Sequence, residues 1–188
     1  IMRNYDTPIA VSGTHGKTTT TSMISQILLE ADADPTISVG GILPSIGGNI
    51  RVGQSETFVT EACEYTNSFL SFFPKISVIL NIDADHLDFF KDIDDIRHSF
   101  RRFAQLLPAD GALIINADTL HYQDIIKDLS CKIITYGLEH EAQYQATDIT
   151  YDKYGHASFT VLKDGRKAGS FYLKVPGSHN VSNALAAI

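Results

Sequence analysis

Apolar runs alternate with segments of helical periodicity along most of this chain. Runs typical of buried strands occur at residues 9–11, 36–39, 57–61, 76–81, 112–116 and 132–136. Apolar residues recur at every third or fourth position over residues 18–32 and from Ile93 to Leu107, which predicts a helix in each of these segments. Strands that are separated by helices predict an α/β fold with a largely parallel sheet, covered by helices on both faces.

The pattern changes after about residue 143. From there to residue 176, apolar and polar residues alternate, as in Ser158–Leu162, and Asp164-Gly165 is a turn signal. This alternation predicts an antiparallel extension of the sheet. A last helix is expected to begin around residues 178–180, with Ser178 as its N-cap. The glycine-rich stretch at 40–53 is expected to form a mobile loop.

Residues 13–19 read Gly-Thr-His-Gly-Lys-Thr-Thr, after the first predicted strand and before the first predicted helix. Gly13 and Gly16 let backbone N–H groups turn toward an anion, and the positive end of the helix dipole adds to the attraction. Lys17 can reach the β- and γ-phosphates of a nucleotide, and the Thr18 hydroxyl is suited to Mg²⁺. The other residues of this predicted phosphate loop are Thr14, His15 and Thr19.

The spacing of this loop is G-x-x-G-K-T, shorter than the usual G-x-x-x-x-G-K-[ST], because Val11 occupies the position of the first glycine. A chance glycine turn at the start of a helix is the alternative. Strand, loop, lysine, threonine and helix nevertheless agree, and together they predict a P-loop-type domain that binds a nucleoside triphosphate.

Acidic residues follow two of the predicted strands. Glu61 closes the strand at 57–61, with Glu64 three residues on, and the strand at 76–81 runs into Asp83-Ala84-Asp85-His86. Because ligands of open α/β sheets gather at the carboxyl ends of the strands, these side chains are expected beside the phosphate loop. Mg²⁺ prefers oxygen ligands, which favours Thr18 and Glu61, and His86 suits a second cation that bridges substrate and γ-phosphate. A solvated acidic turn is the alternative for residues 83–88.

His179, Asn180 and Asn183 stand at the start of the last predicted helix. Two interpretations are open. The side chains can cap the helix, or their amide and imidazole groups can recognise the edge of a planar base.

The composition narrows the function classes. The chain has 188 residues, of which 44% are hydrophobic, which suits one globular domain with a sizeable core. A net charge of −7 argues against nucleic acid and anionic membranes as partners. No apolar stretch approaches the roughly 20 residues of a membrane span. An acidic protein that binds polyphosphate needs local positive charge, backbone N–H groups and a divalent cation.

Cysteine use and the chain ends bear on location and completeness. Cys63 and Cys131 lie far apart without C-x-x-C spacing, and the first residues carry no signal-peptide pattern, so a reduced cytoplasmic protein is expected. The chain begins with Ile1 and stops inside a helical pattern at Ile188, so a segment of a longer protein is expected. The composition gives no indication of the oligomeric state.

Four stretches together resemble the central ATP-binding domain of the Mur ligases of peptidoglycan synthesis. They are Gly-Thr-His-Gly-Lys-Thr-Thr-Thr from Gly13, Glu-Ala-Cys-Glu-Tyr from Glu61, Asn-Ile-Asp-Ala-Asp-His-Leu-Asp from Asn81, and Gly-Ser-His-Asn-Val-Ser-Asn-Ala from Gly177. The resemblance covers essentially the whole chain. It implies that residues 1–188 are a single central domain, and that the family's N-terminal UDP-binding and C-terminal amino-acid-binding domains lie outside this sequence.

The resemblance implies a role for each matching residue. Lys17 matches the lysine that binds the β- and γ-phosphates, and Thr18 matches the threonine on the first Mg²⁺. Glu61 matches the family's magnesium carboxylate, and His86 matches the histidine at the second Mg²⁺. The resemblance also implies that His179, Asn180 and Asn183 contact the adenine region of ATP. It implies that Asn49 and Arg51 contact the UDP-sugar.

The implied reaction is an ATP-dependent amide ligation. His15 and the Gly47–Arg51 stretch resemble the branch of the family that acts on UDP-N-acetylmuramate, with L-alanine as the amine. The substrate carboxylate attacks the γ-phosphate to give an acyl phosphate and ADP, and the amine then displaces phosphate. Several relatives carry a carbamylated lysine a short distance after the histidine. This chain has Phe100-Arg101-Arg102 there, so that group is not expected.

Three alternatives to this reaction are kept. One is a ligase that attaches a recycled peptide to the same UDP-sugar. The second is a P-loop hydrolase or kinase. The third is a nucleotide-binding module without ligase activity.

Overall fold

The structure is a computed structural model that describes residues 1–188. Its ten strands are β1 (Thr7–Ser12), β2 (Thr36–Leu43), β3 (Gly48–Arg51), β4 (Thr57–Glu61), β5 (Ile76–Ile79), β6 (Ala112–Asn116), β7 (Lys132–Gly137), β8 (Tyr144–Tyr151), β9 (His156–Lys163) and β10 (Arg166–Pro176). Its α-helices are α1 (Lys17–Glu30), α2 (Ile93–Ala104), α3 (Tyr122–Ile126) and α4 (His179–Ala187). Short 3₁₀ helices cover Met2–Asn4, Pro44–Ile46 and Tyr65–Ser71. None of the helices has the length and apolar character needed to cross a bilayer.

All ten strands form one sheet in the order β10-β9-β8-β7-β6-β5-β1-β4-β2-β3. The central strands, from β8 to β2 in that order, pair in parallel. At one end β3 is antiparallel to β2, and at the other end β9 and β10 are added antiparallel. The predicted α/β fold with a largely parallel sheet is therefore confirmed. Because β1 lies between β4 and β5, the segment after β1 emerges between the ends of these two strands.

The predicted antiparallel extension is present, but its first strand, β8, is parallel to its neighbour β7. β8 pairs in parallel with β7 through Tyr136 with Tyr144 and Gly137 with Gln145, and only then do β8, β9 and β10 run antiparallel to each other. The turn between β9 and β10 is at Asp164 and Gly165, where the φ angles are 50° and 74°. Positive φ at both positions matches the twist of a two-residue hairpin.

Alternate residues of the central strands serve the two faces of the sheet. Ala10 and Ile79 face a core cluster with the aromatic side chains of α2, whereas Val11 and Val78 face a cluster with α1 and α4. This period of two follows from strand geometry. The consequence is a three-layer arrangement, in which the helices shield both faces of the parallel strands.

Residues 40–53 do not form the expected irregular loop. This stretch forms the end of β2, a 3₁₀ turn and β3, which pairs antiparallel with β2. Gly47 provides the turn with a φ of +66°. The Arg51 guanidinium donates to the carbonyl oxygen of Pro35 and pairs with the Asp34 carboxylate, so side-chain contacts fix the base of the hairpin.

The expected helix starts are confirmed. Ser178 stands at the N-cap position of α4, as expected, but it has helical φ and ψ and its side chain makes no capping hydrogen bond. A capping side chain stands instead before α2, where the Asp92 carboxylate accepts from the N–H groups of Asp94 and Asp95 at 3.1 and 2.9 Å. This geometry satisfies two of the free N–H groups at the start of the helix.

A single carboxylate organises the turn between β7 and β8. Asp118, just after β6, accepts from the backbone N–H groups of Leu138, Glu139 and His140 at 2.6, 3.2 and 2.8 Å. Burial acts to raise the pKa of Asp118, but these hydrogen bonds and the His140 ring outweigh it and hold the pKa below its usual value. The ionised form of Asp118 therefore stabilises the fold.

We expect Asp118→Asn to lower the free energy of unfolding by about 1–3 kcal/mol at neutral pH, because an amide nitrogen would face backbone donors. Since the folded pKa is lowered, the contribution of Asp118 is present above the unfolded pKa of about 3.9 and is lost as pH falls through the folded pKa. Urea unfolding of both proteins at pH 7 and below pH 4 measures this. A difference between the two proteins that does not shrink in acid contradicts it.

Candidate functional site

The phosphate loop lies at the carboxyl edge of the parallel strands. β1 ends at Ser12, residues 13–16 form the turn, and α1 begins at Lys17. Gly13 has a φ of +144° and Gly16 a φ of +87°. A Cβ atom at Gly13 would lie 2.9 Å from the Leu80 Cβ, and one at Gly16 would lie 2.5 Å from the Asn183 Oδ1. The loop therefore requires glycine at both positions, for backbone conformation and for space.

Asn81, the residue that follows β5 by two positions, holds the loop backbone. Its Oδ1 accepts from the His15 N–H at 2.8 Å, and its Nδ2 donates to the His15 carbonyl oxygen at 2.9 Å. The Asn81 carbonyl oxygen also accepts from the Thr14 N–H at 3.1 Å. Asn81 belongs to one of the four motif stretches, but the sequence alone assigns it no role. The feature that could have indicated this role is an amide side chain at the end of a strand next to the predicted phosphate loop.

Thr14 and His15 differ in what their side chains do. The Thr14 side chain is buried, and its Oγ1 accepts from the Asp83 N–H at 3.0 Å. The His15 residue is exposed, with its backbone fixed by Asn81. Both residues thus link the loop to the segment that leads to His86.

Lys17 turns back over the loop. Its Nζ donates to the carbonyl oxygens of Gly13 and Thr14 at 2.6 and 3.2 Å, and to the Glu64 Oε2 at 3.1 Å. The Lys17 side chain is 17% exposed and the Glu64 side chain 2% exposed. The ammonium group therefore sits at the base of the loop, in an ion pair shielded from water.

Thr18 and Glu61 are in direct contact, as the sequence prediction requires. The Thr18 hydroxyl donates to the Glu61 Oε2 at 3.0 Å, and the Gly40 N–H donates to the Glu61 Oε1. A Cβ atom at Gly40 would lie 2.9 Å from the Glu61 Oε2, so the carboxylate packs directly on the β2 backbone. The adjacent hydroxyl and carboxylate oxygens fit a hard cation such as Mg²⁺.

Glu64 and His86 form a second group at this edge. Glu64 is 1% exposed, and its Oε1 lies 3.9 Å from the His86 Nε2. His86 has a φ of +52°, and its N–H donates to the Asp85 Oδ1 at 2.7 Å. The Tyr65 ring lies 4.7 Å from the His86 ring, between centroids. The sequence singles out Glu64 but does not indicate that its side chain is buried, since burial depends on tertiary contacts.

The segment that follows Glu64 packs through aromatic side chains. Phe69, in the 3₁₀ segment after Glu64, stacks on Phe103 of α2 with ring centroids 4.6 Å apart, and contacts Phe100 edge to face. The Tyr65 hydroxyl donates to the Asp88 Oδ2 at 2.9 Å, and this hydrogen bond raises the pKa of Tyr65. The segment from Glu64 to Phe69 is thus anchored at both ends.

No three or more His, Cys, Asp or Glu side chains are arranged to hold a metal ion by themselves. Thr18 with Glu61, and His86 beside Glu64, are two small groups at one edge of the sheet. Mg²⁺ in nucleotide sites is usually bound by one or two carboxylates and completed by phosphates and waters. The donor set therefore fits a cation that arrives with a nucleotide.

The polar residues of α4 contact the loop from the other side. Asn180 and Asn183 are 7% and 6% exposed, whereas His179 is exposed. The Asn183 Nδ2 donates to the Asn180 Oδ1 at 3.1 Å, and the Asn180 Nδ2 donates to the Pro176 carbonyl oxygen at 2.8 Å. The structure gives these amides internal partners beside Gly16, and contact with adenine stays a prediction.

Asn49 and Arg51 lie on β3, at the edge of the sheet, with β4 and β2 between it and β1. Asn49 is exposed. The Arg51 hydrogen bond to Asp34 lowers the pKa of that carboxyl group, so Arg51 serves the hairpin in this structure. Contact of either residue with a UDP-sugar stays a prediction.

Comparison with known proteins identifies the family. A family model described as the Mur ligase middle domain matches residues 11–188. The chain belongs to the Mur ligase family. The UDP-N-acetylmuramate–L-alanine ligase of Agathobacter rectalis is 62% identical over 188 residues, and that of Caldanaerobacter subterraneus subsp. tengcongensis is 55% identical. Each alignment covers 100% of this chain and 41% of the relative, so this Mur ligase domain spans less than half the length of these curated proteins.

Solved Mur ligase structures share the fold. A UDP-N-acetylmuramate:L-alanyl-gamma-D-glutamyl-meso-diaminopimelate ligase from Neisseria meningitides gives a TM-score of 0.86 at 31% identity, over 100% of this chain and 61% of that chain. A UDP-N-acetylmuramate-alanine ligase from Thermotoga maritima gives a TM-score of 0.84 at 29% identity, over 98% of this chain and 41% of that chain. The Mur ligases are ATP-dependent ligases of peptidoglycan synthesis.

We expect Gly16→Ala to destabilise this Mur ligase domain more than Gly47→Ala does. Both residues have positive φ, but a Cβ at Gly47 meets nothing within 4 Å, whereas one at Gly16 collides with Asn183. The conformational cost of alanine is about 1–2 kcal/mol at each position. Gly16→Ala should cost about 1 kcal/mol more, because the Asn183 amide must leave its hydrogen bond. Urea unfolding measures both, and equal losses contradict the close contact.

Proposed function

We propose that the protein to which this domain belongs joins L-alanine to UDP-N-acetylmuramate with ATP, and that this chain supplies the nucleotide and magnesium site. The observation that carries the proposal is the 62% identity, over the whole chain, to a UDP-N-acetylmuramate–L-alanine ligase. The phosphate loop, with Lys17 and Thr18 beside Glu61, provides the matching chemistry. We assign the reaction to the cytoplasm, since it consumes ATP and the chain has two free cysteines.

The domain organisation is part of the proposal. The curated relatives are more than twice as long as this chain, which spans 41% of them. We assign residues 1–188 to a single middle domain, with a UDP-binding domain before it and an amino-acid-binding domain after it in the complete protein. The amine would then be bound mainly outside the residues described in this structure.

The loop residues have distinct proposed tasks toward ATP. The backbone N–H groups of residues 16–19, at the start of α1, bind phosphate oxygens, because the glycines let the backbone approach them closely. The N–H groups of Thr14 and His15 hold the loop on Asn81 instead. Lys17 neutralises charge on the β- and γ-phosphates, for which its position at the base of the loop is suited. Thr14, His15 and Thr19 complete the loop, and His179, Asn180 and Asn183 contact the adenine region.

Thr18, Glu61 and His86 are the proposed magnesium ligands. Thr18 and Glu61 present neighbouring oxygens, and His86 presents its imidazole near the base of the loop. When bound, Mg²⁺ would offset the repulsion between the substrate carboxylate and the γ-phosphate. Asn49 and Arg51 are weaker candidates for contact with the UDP-sugar.

The proposed chemistry depends on charge compensation and alignment. The muramate carboxylate attacks the γ-phosphate, so the bond from this phosphorus to the β–γ bridging oxygen breaks and ADP leaves with that oxygen. The amine nitrogen then attacks the acyl phosphate, loses a proton and displaces inorganic phosphate. Lys17 is positioned to stabilise the charge that moves onto the leaving ADP. Alignment of reacting groups alone can account for roughly 7–11 kcal/mol of barrier lowering.

The first test concerns the nucleotide site. We expect Lys17→Ala to weaken binding of Mg²⁺–ATP by this chain at least about tenfold, equivalent to about 1.4 kcal/mol. Lys163→Ala is the control, because Lys163 ends β9 far along the sheet from the loop. Titration calorimetry compares the three proteins. Equal affinities of wild type and Lys17→Ala for Mg²⁺–ATP would show that the loop is not part of the nucleotide site.

The second test concerns the reaction. We expect the complete protein to release ADP and phosphate when UDP-N-acetylmuramate and L-alanine are both present, and the isolated 188-residue chain to do so at a rate at least about 100-fold lower, because positioning by the other domains is missing. Alanine-dependent turnover by the isolated chain at the full rate contradicts the proposed division of labour.

The same assay separates the alternatives. The similarity to the Neisseria meningitides ligase, with a TM-score of 0.86, favours murein tripeptide as the second candidate amine. Faster turnover with tripeptide than with L-alanine assigns the chain to that activity. Turnover of ATP without any muramate substrate favours a P-loop hydrolase or kinase. ATP binding without turnover by the complete protein favours a nucleotide-binding module.

A further inference from the structure

The ammonium group of Lys17 has all its hydrogen-bonding capacity in use. A lysine ammonium has three N–H donors. Here they face the Gly13 carbonyl oxygen at 2.6 Å, the Thr14 carbonyl oxygen at 3.2 Å and the Glu64 Oε2 at 3.1 Å. A phosphate oxygen can therefore bind Lys17 only by replacing one of these partners.

Glu64 is the partner that an incoming phosphate most resembles. The two carbonyl oxygens belong to the loop itself, and the loop is fixed by Asn81 and by contact with Leu80. Glu64 is an anion and belongs to a different segment of the chain. In both respects it resembles the phosphate group of a ligand, which is an anion that does not belong to the loop. An anion that binds Lys17 from the loop side competes with this carboxylate for the same donor.

The Glu64 carboxylate is poorly screened. It is 1% exposed, so water offers it little stabilisation. The cationic or ionisable groups that face it are Lys17 and, at 3.9 Å, the His86 Nε2. If Lys17 transfers to phosphate, a negative carboxylate is left close to a polyphosphate, and the repulsion is strong in a site of low effective dielectric.

We infer that Glu64 competes with phosphate for Lys17 and makes tight nucleotide binding depend on a divalent cation. A metal-free polyphosphate must separate Glu64 from Lys17 and leave two anions facing each other. A nucleotide that carries Mg²⁺ brings the compensating charge with it. Glu64 is thus a positioning residue that selects the metal complex of the nucleotide over the free form. This inference rests on the proposed nucleotide site.

The test uses the 188-residue chain with ATP as the probe, with Mg²⁺ in one series and with EDTA in the other. We expect Glu64→Gln, which removes the charge and nearly keeps the shape, to tighten binding of metal-free ATP by about tenfold or more. Binding of Mg²⁺–ATP should change much less. The preference of the protein for the metal complex should therefore fall by about the same factor.

Asp110→Asn is the matched control. It makes the same change in net charge and removes the carboxylate partner of another lysine, Lys75, at the opposite end of β6 from the carboxyl edge. We expect this variant to keep the wild-type preference for Mg²⁺–ATP. A similar shift in Asp110→Asn would reduce the effect of Glu64 to a change in overall charge and overturn the inference.

The outcomes separate this inference from the proposed function. Absence of nucleotide binding by wild type would overturn both. Binding by wild type, with Glu64→Gln weakening both forms of ATP equally or changing neither, would overturn only the role of Glu64, because that result assigns the carboxylate to static support of Lys17.

A structural measurement covers the case in which Glu64→Gln does not fold. A crystal structure of the wild-type chain with bound ADP or ATP should have the Lys17 Nζ on a phosphate oxygen and out of contact with Glu64, which lies 3.1 Å from it in the present structure. Retention of that contact with bound nucleotide would overturn the inference without any variant.

Discussion

The close approach of the phosphate loop to β5 and α4 is the constraint on which the site depends. A side chain at Gly13 would meet the Leu80 Cβ, and a side chain at Gly16 would displace the Asn183 amide. Because the backbone comes this close, Asn81 can bind both the N–H and the carbonyl oxygen of His15. The loop is therefore shaped before any ligand binds, and less conformational entropy is lost on binding.

The same contacts connect parts of the site that are distant along the chain. Asn81 and the Asp83 backbone bind the loop and lead directly to His86, while Asn183 reaches the loop from α4. A shift of the loop must therefore move the ends of β5 and α4 with it. This coupling explains why the proposed metal, phosphate and adenine residues lie at one edge of the sheet, although they come from four separate stretches of sequence.

The sequence predicted most of the fold because strand and helix periods are local. The apolar runs that contain Ala10, Val11, Val78 and Ile79 can be read directly from neighbouring residues, and the structure buries both faces of these strands. The hairpin at residues 40–53 was missed because its glycines indicate a loop, whereas its order comes from pairing between β2 and β3 and from Arg51 with Asp34. Those contacts join residues that are not adjacent in sequence.

The site was predictable to a similar extent. Lys17, Thr18 and Glu61 follow from a motif and a strand end, and the structure brings Thr18 and Glu61 together. The burial of Glu64 was not predictable, because it depends on tertiary contacts: its carboxylate pairs with Lys17, 47 residues away along the chain. The hydrogen bonds of Asn81 were missed for the same reason, since the motif contains the amide but not its partner.

Both the contacts of the phosphate loop and the packing of the core fix the position of α1. The buried face of α1 is mainly small and polar, and the hydroxyl groups of Thr20, Thr21 and Ser25 are buried without a hydrogen-bond partner. Such hydroxyls add little hydrophobic stabilisation and carry a desolvation cost. Small side chains do, however, let a helix lie close to its neighbours. The start of α1 is therefore held more by the hydrogen bonds and close contacts of the loop than by burial of its own face, which makes the shape of the loop a condition for the position of Lys17 and Thr18.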